Sequence, residues 1–229
     1  ETVIGLCAQA APASAAPRVA PKQEIVSLFS TRAVRARPNV HARQVAYVSA
    51  DRPITGERTV LPVIAQAIDS HGLAWLRVRL PGRTLGAAPP PRTGWIKAAN
   101  ALISTTPWHI VADLGGRRVL VYRNGRLLRS YPSIVGKPST PTPTGEYFVE
   151  ENVQVPADQP GGPFALATSD RSNVLQEFDG GPGQIAIHGL NNLGGQLGTA
   201  ISHGCIRLAN GDVSWLAQRI GPGVPLTIT

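Results

Sequence analysis

The segment QIAIHGLNNLGGQLGTAISHGCIRL (residues 184–208) contains the motif from which we predict the fold and the candidate site of the C-terminal half of the chain. Its first five residues predict a short apolar β-strand that ends at His188, and the Gly- and Asn-rich stretch after them predicts a loop. A side chain at the end of a strand has a rigid backbone and an open tip. Cys205 follows seventeen positions after His188 (205 − 188), inside the tetrapeptide SHGC. The segment therefore supplies an imidazole and a thiol as candidates for one shared site.

Nucleophilic thiol chemistry needs a thiolate, a base that forms it, and hydrogen-bond donors for the oxyanion. A free cysteine has a pKa of about 8.5, so only a small fraction is ionised at neutral pH. We expect His188 to take the proton of Cys205 and to form an ion pair with it. Gly204 lets the backbone approach a substrate carbonyl, and the amides of Gly204 and Cys205 are the candidate oxyanion donors. Taken singly, a cysteine is more often a small core hydrophobe.

The other histidines offer less chemistry. His41 and His71 lie in the N-terminal block without obvious chemical neighbours, and His109 begins a predicted strand. Two histidines and one cysteine are enough to bind zinc, but the chain has no second cysteine cluster and no H-E-x-x-H motif. We therefore expect neither a metal nor another cofactor.

The composition predicts a folded, mainly β protein. Hydrophobic residues make up 42% of the 229 residues and charged residues only 16%, which favours a packed core over disorder. The 24 Gly and 21 Pro favour many turns and short strands. A net charge of +8 suits an acidic polymer as partner, although a solvated basic surface explains it equally well. No Lys/Arg block with interleaved aromatics is present, so nucleic acid is not expected.

Residues 1–22 are rich in Ala and Pro and predict a linker or the remnant of a signal or anchor. The apolar run is too short to span a membrane, and a missing N-terminal segment would be the place for a membrane tether. Cys7 lies in this tail. A disulfide between Cys7 and Cys205 would tie a tail to the core and is disfavoured.

Residues 23–98 predict a small β-barrel of short strands. In WLRVRL (75–80) the residues Leu76, Val78 and Leu80 form one apolar face of a strand. The W-L-R-V…P-G…G-W-I pattern resembles a bacterial Src-homology-three-like (SH3-like) module. That resemblance implies a binding or spacing role near the cell wall, and a structural barrel without a ligand is an equal alternative.

Residues 107–229 form a second block, and residues 98–107 join it to the first. Gly115-Gly116 and Asn124-Gly125 predict the tight turns of two hairpins, followed by a strand in EYFVEENVQV. Residues 156–183 predict a loop-rich lid or substrate rim. Residues 210–220 predict a helix capped by Asn210, and VPLTIT predicts a terminal strand.

The sequence IAIHGL…TAISHGCIRL resembles the signature of the L,D-transpeptidases, whose catalytic domain is called YkuD-like. The family pattern is a histidine, a spacer of about fifteen residues, and then Ser/Thr-His-Gly-Cys with a hydrophobic and a polar residue. VGKPSTPTPTGEYFV also resembles the family's loop before the active site. The resemblance covers residues 107–229 and implies a β-sandwich domain with one or two short helices.

The resemblance implies that Cys205 is the nucleophile and His188 its base. The third catalytic role belongs to an oxygen next to the base, and Gly189 offers only its carbonyl for it. His203 would shape the pocket and steady the intermediate, and Ser202 would fix the cysteine loop.

Arg207 is a candidate clamp for a substrate carboxylate, because guanidinium binds carboxylate in bidentate fashion. A surface salt bridge is an equal alternative for Arg207. The threonines of PTPTG are expected to be plain loop residues.

The resemblance implies an exported enzyme of the cell envelope that cross-links peptidoglycan stem peptides. A donor tetrapeptide would form a thioester on Cys205, and a side-chain amine of a neighbouring stem would resolve it into a 3→3 cross-link. Carbapenems are the inhibitors that the family implies. An L,D-carboxypeptidase and a non-catalytic wall-binding protein remain the alternatives, whereas a papain-like order would place the histidine after the cysteine.

Overall fold

The computed structural model describes residues 19–178 and 180–229. Strands account for 47% of the chain and helix for 4%, which confirms a mainly β protein. Cys7 and most of the predicted linker lie outside the described residues. No helix in the described part of the chain is long and apolar enough to cross a membrane.

Seven strands form the N-terminal block: β1 (Gln23–Leu28), β2 (Arg32–Arg35), β3 (Gln44–Val48), β4 (Val60–Ile68), β5 (Ala74–Arg79), β6 (Thr93–Lys97) and β7 (Ala101–Thr106). They lie in one sheet in the order β3-β2-β6-β5-β4-β1-β7. The apolar face predicted for WLRVRL is present, since Leu76, Val78 and Leu80 are buried. Trp75 on the opposite face is also buried, and its indole N–H donates to Asp69 at 3.0 Å.

The segment that was expected only to join the two blocks is a strand. β7 pairs with β1 over six residues, from Gln23↔Thr106 to Leu28↔Ala101. Residues 98–107 therefore complete the first sheet instead of lying between domains. A separate SH3-like barrel stays a prediction.

The C-terminal block contains ten strands and one helix among the described residues: β8 (Trp108–Asp113), β9 (Arg118–Arg123), β10 (Arg126–Pro132), β11 (Val135–Gly136), β12 (Gly145–Gln154), β13 (Phe164–Arg171), β14 (Gln184–His188), β15 (Ala200–Ser202), β16 (Ile206–Arg207), α1 (Asn210–Ala217) and β17 (Pro225–Ile228). Eight strands form one ladder in the order β10-β9-β8-β17-β12-β13-β14-β16, and β11 pairs with β15. One hydrophobic core contains Ile110 of β8, Ile187 of β14 and Leu216 of α1. Strands from both ends of the ladder and helix α1 therefore contribute to one core, and the β-sandwich arrangement stays a prediction.

The two blocks share packing. Phe148 of β12 is 1% exposed and belongs to the core of the N-terminal block, together with Leu61 and Leu76. A side chain added at Gly223 would lie 2.6 Å from Val60, so the backbone before β17 also contacts the first block closely. The proposed division into residues 23–98 and 107–229 stays a prediction.

Strand β13 lies inside residues 156–183, which were expected to be loop-rich. It is hydrogen-bonded between β12 and β14, and the residues 166–170 are all buried. Its sequence FALATSDR has small and polar residues instead of alternating β-branched ones. Because it is covered on both faces, the period of two that would reveal a half-buried strand is missing.

Two local predictions need correction. The Gly115-Gly116 pair was expected to supply the positive φ of the first hairpin turn, but Arg117 adopts it (51°). Asp113 closes this turn by accepting a hydrogen bond from the Gly116 amide at 2.9 Å. Helix α1 has Ala209 at its N-cap without a side-chain cap bond. The Asn210 carboxamide instead accepts from the Leu190 amide at 2.7 Å and holds the loop after His188.

Candidate active site

His188 ends β14 between two neighbouring strands. It pairs with Ala165 of β13 and with Arg207 of β16. Its neighbour Ile187 is fully buried in the core. Because side chains alternate along a strand, the imidazole lies on the face opposite the core.

Cys205 directly precedes β16, which pairs with β14 in parallel, with Ile187 opposite Ile206. Ile206 is fully buried, so Cys205 and Arg207 lie on the same face as His188. Among the described residues Cys205 is a free thiol that is half-buried, and its Sγ lies 3.8 Å from the main-chain oxygen of Gln184. The fold brings the thiol and the imidazole to one face of two adjacent strands.

The His188 ring is held by the backbone beside it. Its Nδ1 lies 2.8 Å from the carbonyl oxygen of Gly189. A neutral ring that donates from Nδ1 has its lone pair on Nε2, which is the form a general base needs. A Cβ at Gly161 would lie 3.0 Å from Nδ1, and one at Gly189 would lie 2.0 Å from the Gly162 oxygen. The loops can therefore pack this closely on the imidazole only because they lack side chains.

Burial shifts the pKa of each group in the direction that disfavours its charged form. It lowers the pKa of His188, with the Arg207 charge acting in the same direction and the Gly189 carbonyl against it. It raises the pKa of Cys205, which a hydrogen bond from the Ala186 backbone and the Arg207 charge partly offset. Desolvation therefore acts against the ion pair expected from the sequence, which stays a prediction.

Ser202 fixes the cysteine loop through two hydrogen bonds. Its hydroxyl donates to the Cys205 carbonyl at 2.6 Å and accepts from the Gly204 amide at 3.1 Å. The Gly204 amide is therefore occupied, and its expected role as an oxyanion donor is not available in this arrangement. Gly204 itself has a φ of +121°, and a Cβ there would lie 2.9 Å from Ile185. The close turn requires glycine for steric reasons.

Two threonines of KPSTPTPTG (137–145), Thr140 just before PTPTG and Thr142 within it, contribute more than the sequence indicated. Thr140 donates to the Ser202 carbonyl at 3.1 Å, and Thr142 donates to the Gly204 carbonyl at 2.6 Å. The Thr142 hydroxyl also accepts from the Gly136 amide at 3.0 Å. Both threonines are buried, so these bonds fasten the cysteine loop to the preceding loop. The sequence indicated this role only through the resemblance of VGKPSTPTPTGEYFV to the family's loop before the active site.

Arg207 and His203 lie on either side of the cysteine. Arg207 donates to the Gly194 carbonyl at 3.3 Å, while its Nε is buried and has no partner in the described residues. The guanidinium thus retains donor capacity for a ligand. His203 is exposed, and its ring stacks on Phe178 with centroids 6.0 Å apart. His203 therefore forms part of the exposed rim of the candidate site.

Asp170 is a buried acid that sequence reasoning missed. Burial raises its pKa from 3.8 to about 7, although Tyr147 and Arg171 act in the opposite direction. Its charge in turn raises the pKa of Cys205. Nothing in TSDR distinguishes this aspartate from a surface residue, because its burial comes from strands on either side.

A groove of about 930 Å³ runs along the boundary of the two blocks. Ile54 and Leu85 line it from the N-terminal block, and Phe178 and Gln184 line it from the C-terminal block. Gln184 contacts Cys205 and Phe178 stacks on His203, so the groove adjoins the candidate site. In the described part of the chain, no group of three or more His, Cys, Asp or Glu residues is arranged to hold a metal ion.

A strand-end imidazole with an oriented ring, beside a free thiol on a glycine turn, defines a site suited to acyl transfer through sulfur. The sequence profile of the YkuD family, the L,D-transpeptidase catalytic domain, matches residues 107–228. The chain belongs to this family, whose members act on peptidoglycan in the cell envelope and are generally cysteine-dependent.

Two relatives from Bacillus agree with the family assignment by sequence. The chain is 36% identical over 124 residues to the YkuD protein of Bacillus subtilis, which is provisionally named an L,D-transpeptidase, covering 54% of this chain and 67% of the relative. It is 37% identical over 152 residues to the YkuD protein of Bacillus licheniformis, with the same provisional name, covering 63% and 84%. The structure of L,D-transpeptidase 3 from Mycobacterium tuberculosis is 16% identical with a TM-score of 0.43, covering 73% of this chain and 94% of that one.

Proposed function

We propose that this protein is a peptidoglycan L,D-transpeptidase that forms 3→3 cross-links through a thioester on Cys205. The observation that carries the proposal is the placement of Cys205 and His188 on one face of paired strands, with the Nδ1 of His188 2.8 Å from the Gly189 carbonyl. This geometry leaves Nε2 as the basic nitrogen. Its site of action is the cell envelope, and its partners are stem peptides.

The first step is acylation. The sulfur of Cys205 attacks the carbonyl of the third residue of a stem tetrapeptide, while Nε2 of His188 accepts the thiol proton. The C–N bond to the terminal D-Ala then breaks, and His188 returns the proton to the departing amine. Burial of both groups favours this order, because it disfavours the thiolate and the imidazolium before substrate is bound.

The second step is transfer to an acceptor. The side-chain amine of the third residue of another stem attacks the thioester carbonyl, and His188 removes a proton from this amine. The C–S bond breaks, the new amide forms, and the proton returns to Cys205. The reaction consumes one acyl donor and one amine, releases D-Ala, and needs no cofactor.

The residues around the pair have supporting roles. The Cys205 amide is the proposed oxyanion donor, since the Gly204 amide is bonded to Ser202. Arg207 is the proposed carboxylate clamp, because it lies on the same face of β16 as Cys205 and guanidinium binds carboxylate strongly. His203 shapes the exposed rim with Phe178.

The test compares the protein with Cys205→Ala, both carrying Cys7→Ser so that Cys205 is the sole thiol. We expect the first to release D-Ala from tetrapeptide and to form a cross-linked product when acceptor amine is supplied. We also expect a covalent mass increase with a carbapenem, because its strained lactam carbonyl acylates the same thiol. Cys205→Ala should lose all three properties.

Three outcomes separate the candidate functions. A cross-linked product supports transfer, while tripeptide alone in the presence of acceptor identifies an L,D-carboxypeptidase. Binding of peptidoglycan without D-Ala release or adduct, unchanged in Cys205→Ala, identifies a non-catalytic wall-binding protein.

A further inference from the structure

Glu150 of β12 joins the N-terminal block to the candidate active site through a buried carboxylate. Its side chain is fully buried and forms ion pairs with Arg52 of the N-terminal block and with Arg171 at 3.2 Å. It also accepts hydrogen bonds from the Gly82 amide at 2.9 Å and from the Gln184 carboxamide at 3.2 Å. One carboxylate thus receives donors from both blocks.

Gln184 carries this connection to the thiol. Its carboxamide donates to Glu150 and to the Thr168 carbonyl at 2.9 Å, so the side chain is held at two points. Its main-chain oxygen accepts the weak hydrogen bond from the Cys205 thiol at 3.8 Å. Gln184 also begins β14, the strand that ends at His188. Displacement of Gln184 would therefore move both the thiol's acceptor and the strand of the base.

The energetics indicate that this network has a role beyond stability. A buried ion pair contributes little to stability compared with a well-packed apolar replacement, because desolvation of both charges is costly. Loss of one partner is expensive, since it leaves a buried charge unpaired. Such a network fixes one arrangement of the groups that it holds. Here the arrangement includes the backbone on which Cys205 rests.

We propose that Glu150 is a positioning residue through which the N-terminal block holds the Cys205 thiol for attack. The path runs from Arg52 through Glu150 to Gln184, and from the Gln184 main chain to the sulfur. This proposal rests on the proposed function in one respect, namely that Cys205 is the nucleophile. It assigns part of the catalytic geometry to the first sheet instead of to the catalytic domain alone.

Glu151 is a matched control. It is the next residue of β12, is fully buried, and also binds the N-terminal block, accepting from the amides of Ile54 at 3.1 Å and Thr55 at 2.8 Å. Its recorded partners include neither Gln184 nor Arg171. Glu151 also pairs with Arg52 at 3.6 Å, so removing its charge perturbs the same interface and the Arg52 end of the path but leaves the bonds from Glu150 to Gln184 in place.

The experiment uses the whole chain with Cys7→Ser and compares Glu150→Gln, Gln184→Leu and Glu151→Gln. For each variant we would measure thermal unfolding, the rate of carbapenem acylation, and the pH profile of Cys205 alkylation by iodoacetamide. We expect Glu150→Gln and Gln184→Leu to acylate about ten- to a hundredfold more slowly, the loss typical of a misplaced reacting group. Their alkylation profiles should shift to lower pH, because displacement of the Gln184 main-chain oxygen weakens the bond that stabilises the protonated thiol.

Glu151→Gln should keep the acylation rate and alkylation profile of the parent, even where it unfolds at a similarly lowered temperature. Gln184→Leu keeps every charge and the buried carboxylate, so it tests the path even if Glu150→Gln fails to fold. Equal acylation rates and profiles in Gln184→Leu and the parent, or equal losses in Glu150→Gln and Glu151→Gln, would overturn the proposal.

Failure of the proposed function gives a different result. In that case the parent itself forms no carbapenem adduct on Cys205, while the alkylation profiles still report whether Gln184 and Glu150 control the thiol.

Discussion

Single residues set the charge state of the candidate site. Burial lowers the pKa of His188 and raises the pKa of Cys205, so it disfavours the imidazolium and the thiolate alike. Asp170 adds a nearby acid whose pKa of about 7 lies close to physiological pH. Its ionisation raises the pKa of Cys205. The site thus combines a thiol, a base and a buried acid that respond to one another.

Asp170 also makes the stability of the fold depend on pH. Its carboxyl has a pKa of about 7 in the folded protein and 3.8 as the ordinary value, so the folded state binds the proton more tightly. The resulting stabilisation is complete below pH 3.8 and is lost as the pH rises to about 7. We expect the free energy of unfolding of Asp170→Asn, relative to the parent, to increase by about 4 kcal/mol across this range.

Urea unfolding of parent and Asp170→Asn at a series of pH values checks this expectation. The difference between the two proteins removes the contribution of every other titrating group. A difference that stays constant with pH would show that Asp170 is ionised at the same pH in the folded and unfolded states.

At the scale of elements, the turn that contains Gly204 and Cys205 is held by hydrogen bonds from a different loop. β11 pairs with β15 in parallel, and the loop after β11 supplies the hydroxyls that bind the turn's carbonyls. Short strands of two or three residues have few ladder bonds of their own. The side-chain bonds therefore supply much of the order at the turn.

Thr142→Val removes one such bond with little change of shape. It leaves the Gly204 carbonyl and the Gly136 amide without the Thr142 hydroxyl, at a cost of about 1–3 kcal/mol for buried polar groups left unpaired. We expect this loss in denaturant unfolding, together with slower acylation of Cys205. Thr59→Val is the control, because the Thr59 hydroxyl is buried without a partner in the described residues and its loss should be nearly neutral. Equal effects of the two substitutions would contradict the assigned role of Thr142.

At the scale of the whole molecule, the two blocks are coupled by packing as well as by charge. Phe148 extends from β12 of the second block into the core of the first, beside the Glu150 and Glu151 carboxylates. Arg79 pairs with Glu146 at 3.5 Å farther along the same strand. β12 therefore belongs to the second sheet by hydrogen bonding and to the first core by its side chains.

Phe148→Ala should destabilise both blocks together. Truncation of a buried phenylalanine costs about 3–5 kcal/mol, and the cavity would lie between the two blocks. We expect calorimetry to show one transition at lower temperature, with Phe29→Ala as the exposed control that changes little. Two separated transitions in the parent protein would show that the blocks unfold independently and that the shared core is unimportant.

The sequence alone determined the features that depend on neighbouring residues. Alternation in QIAIH predicted β14 and its terminal His188, and glycine after the strand predicted the loop. The SHGC motif identified the turn at Cys205, and the apolar face of WLRVRL identified a core strand. These signals are local, because strand period and backbone freedom act over a few residues.

Only the tertiary structure decided which distant groups meet. β13 lies in the middle of a ladder although its sequence lacks alternation. Because the strand is buried on both faces, the pKa of Asp170 rises to about 7. Glu150 meets Arg52 across 98 positions of the chain, and Thr142 meets Gly204 across 62. Burial and long-range pairing are properties of the packed fold, so neither the pKa shifts at the candidate site nor its link to the first block was present in the local pattern.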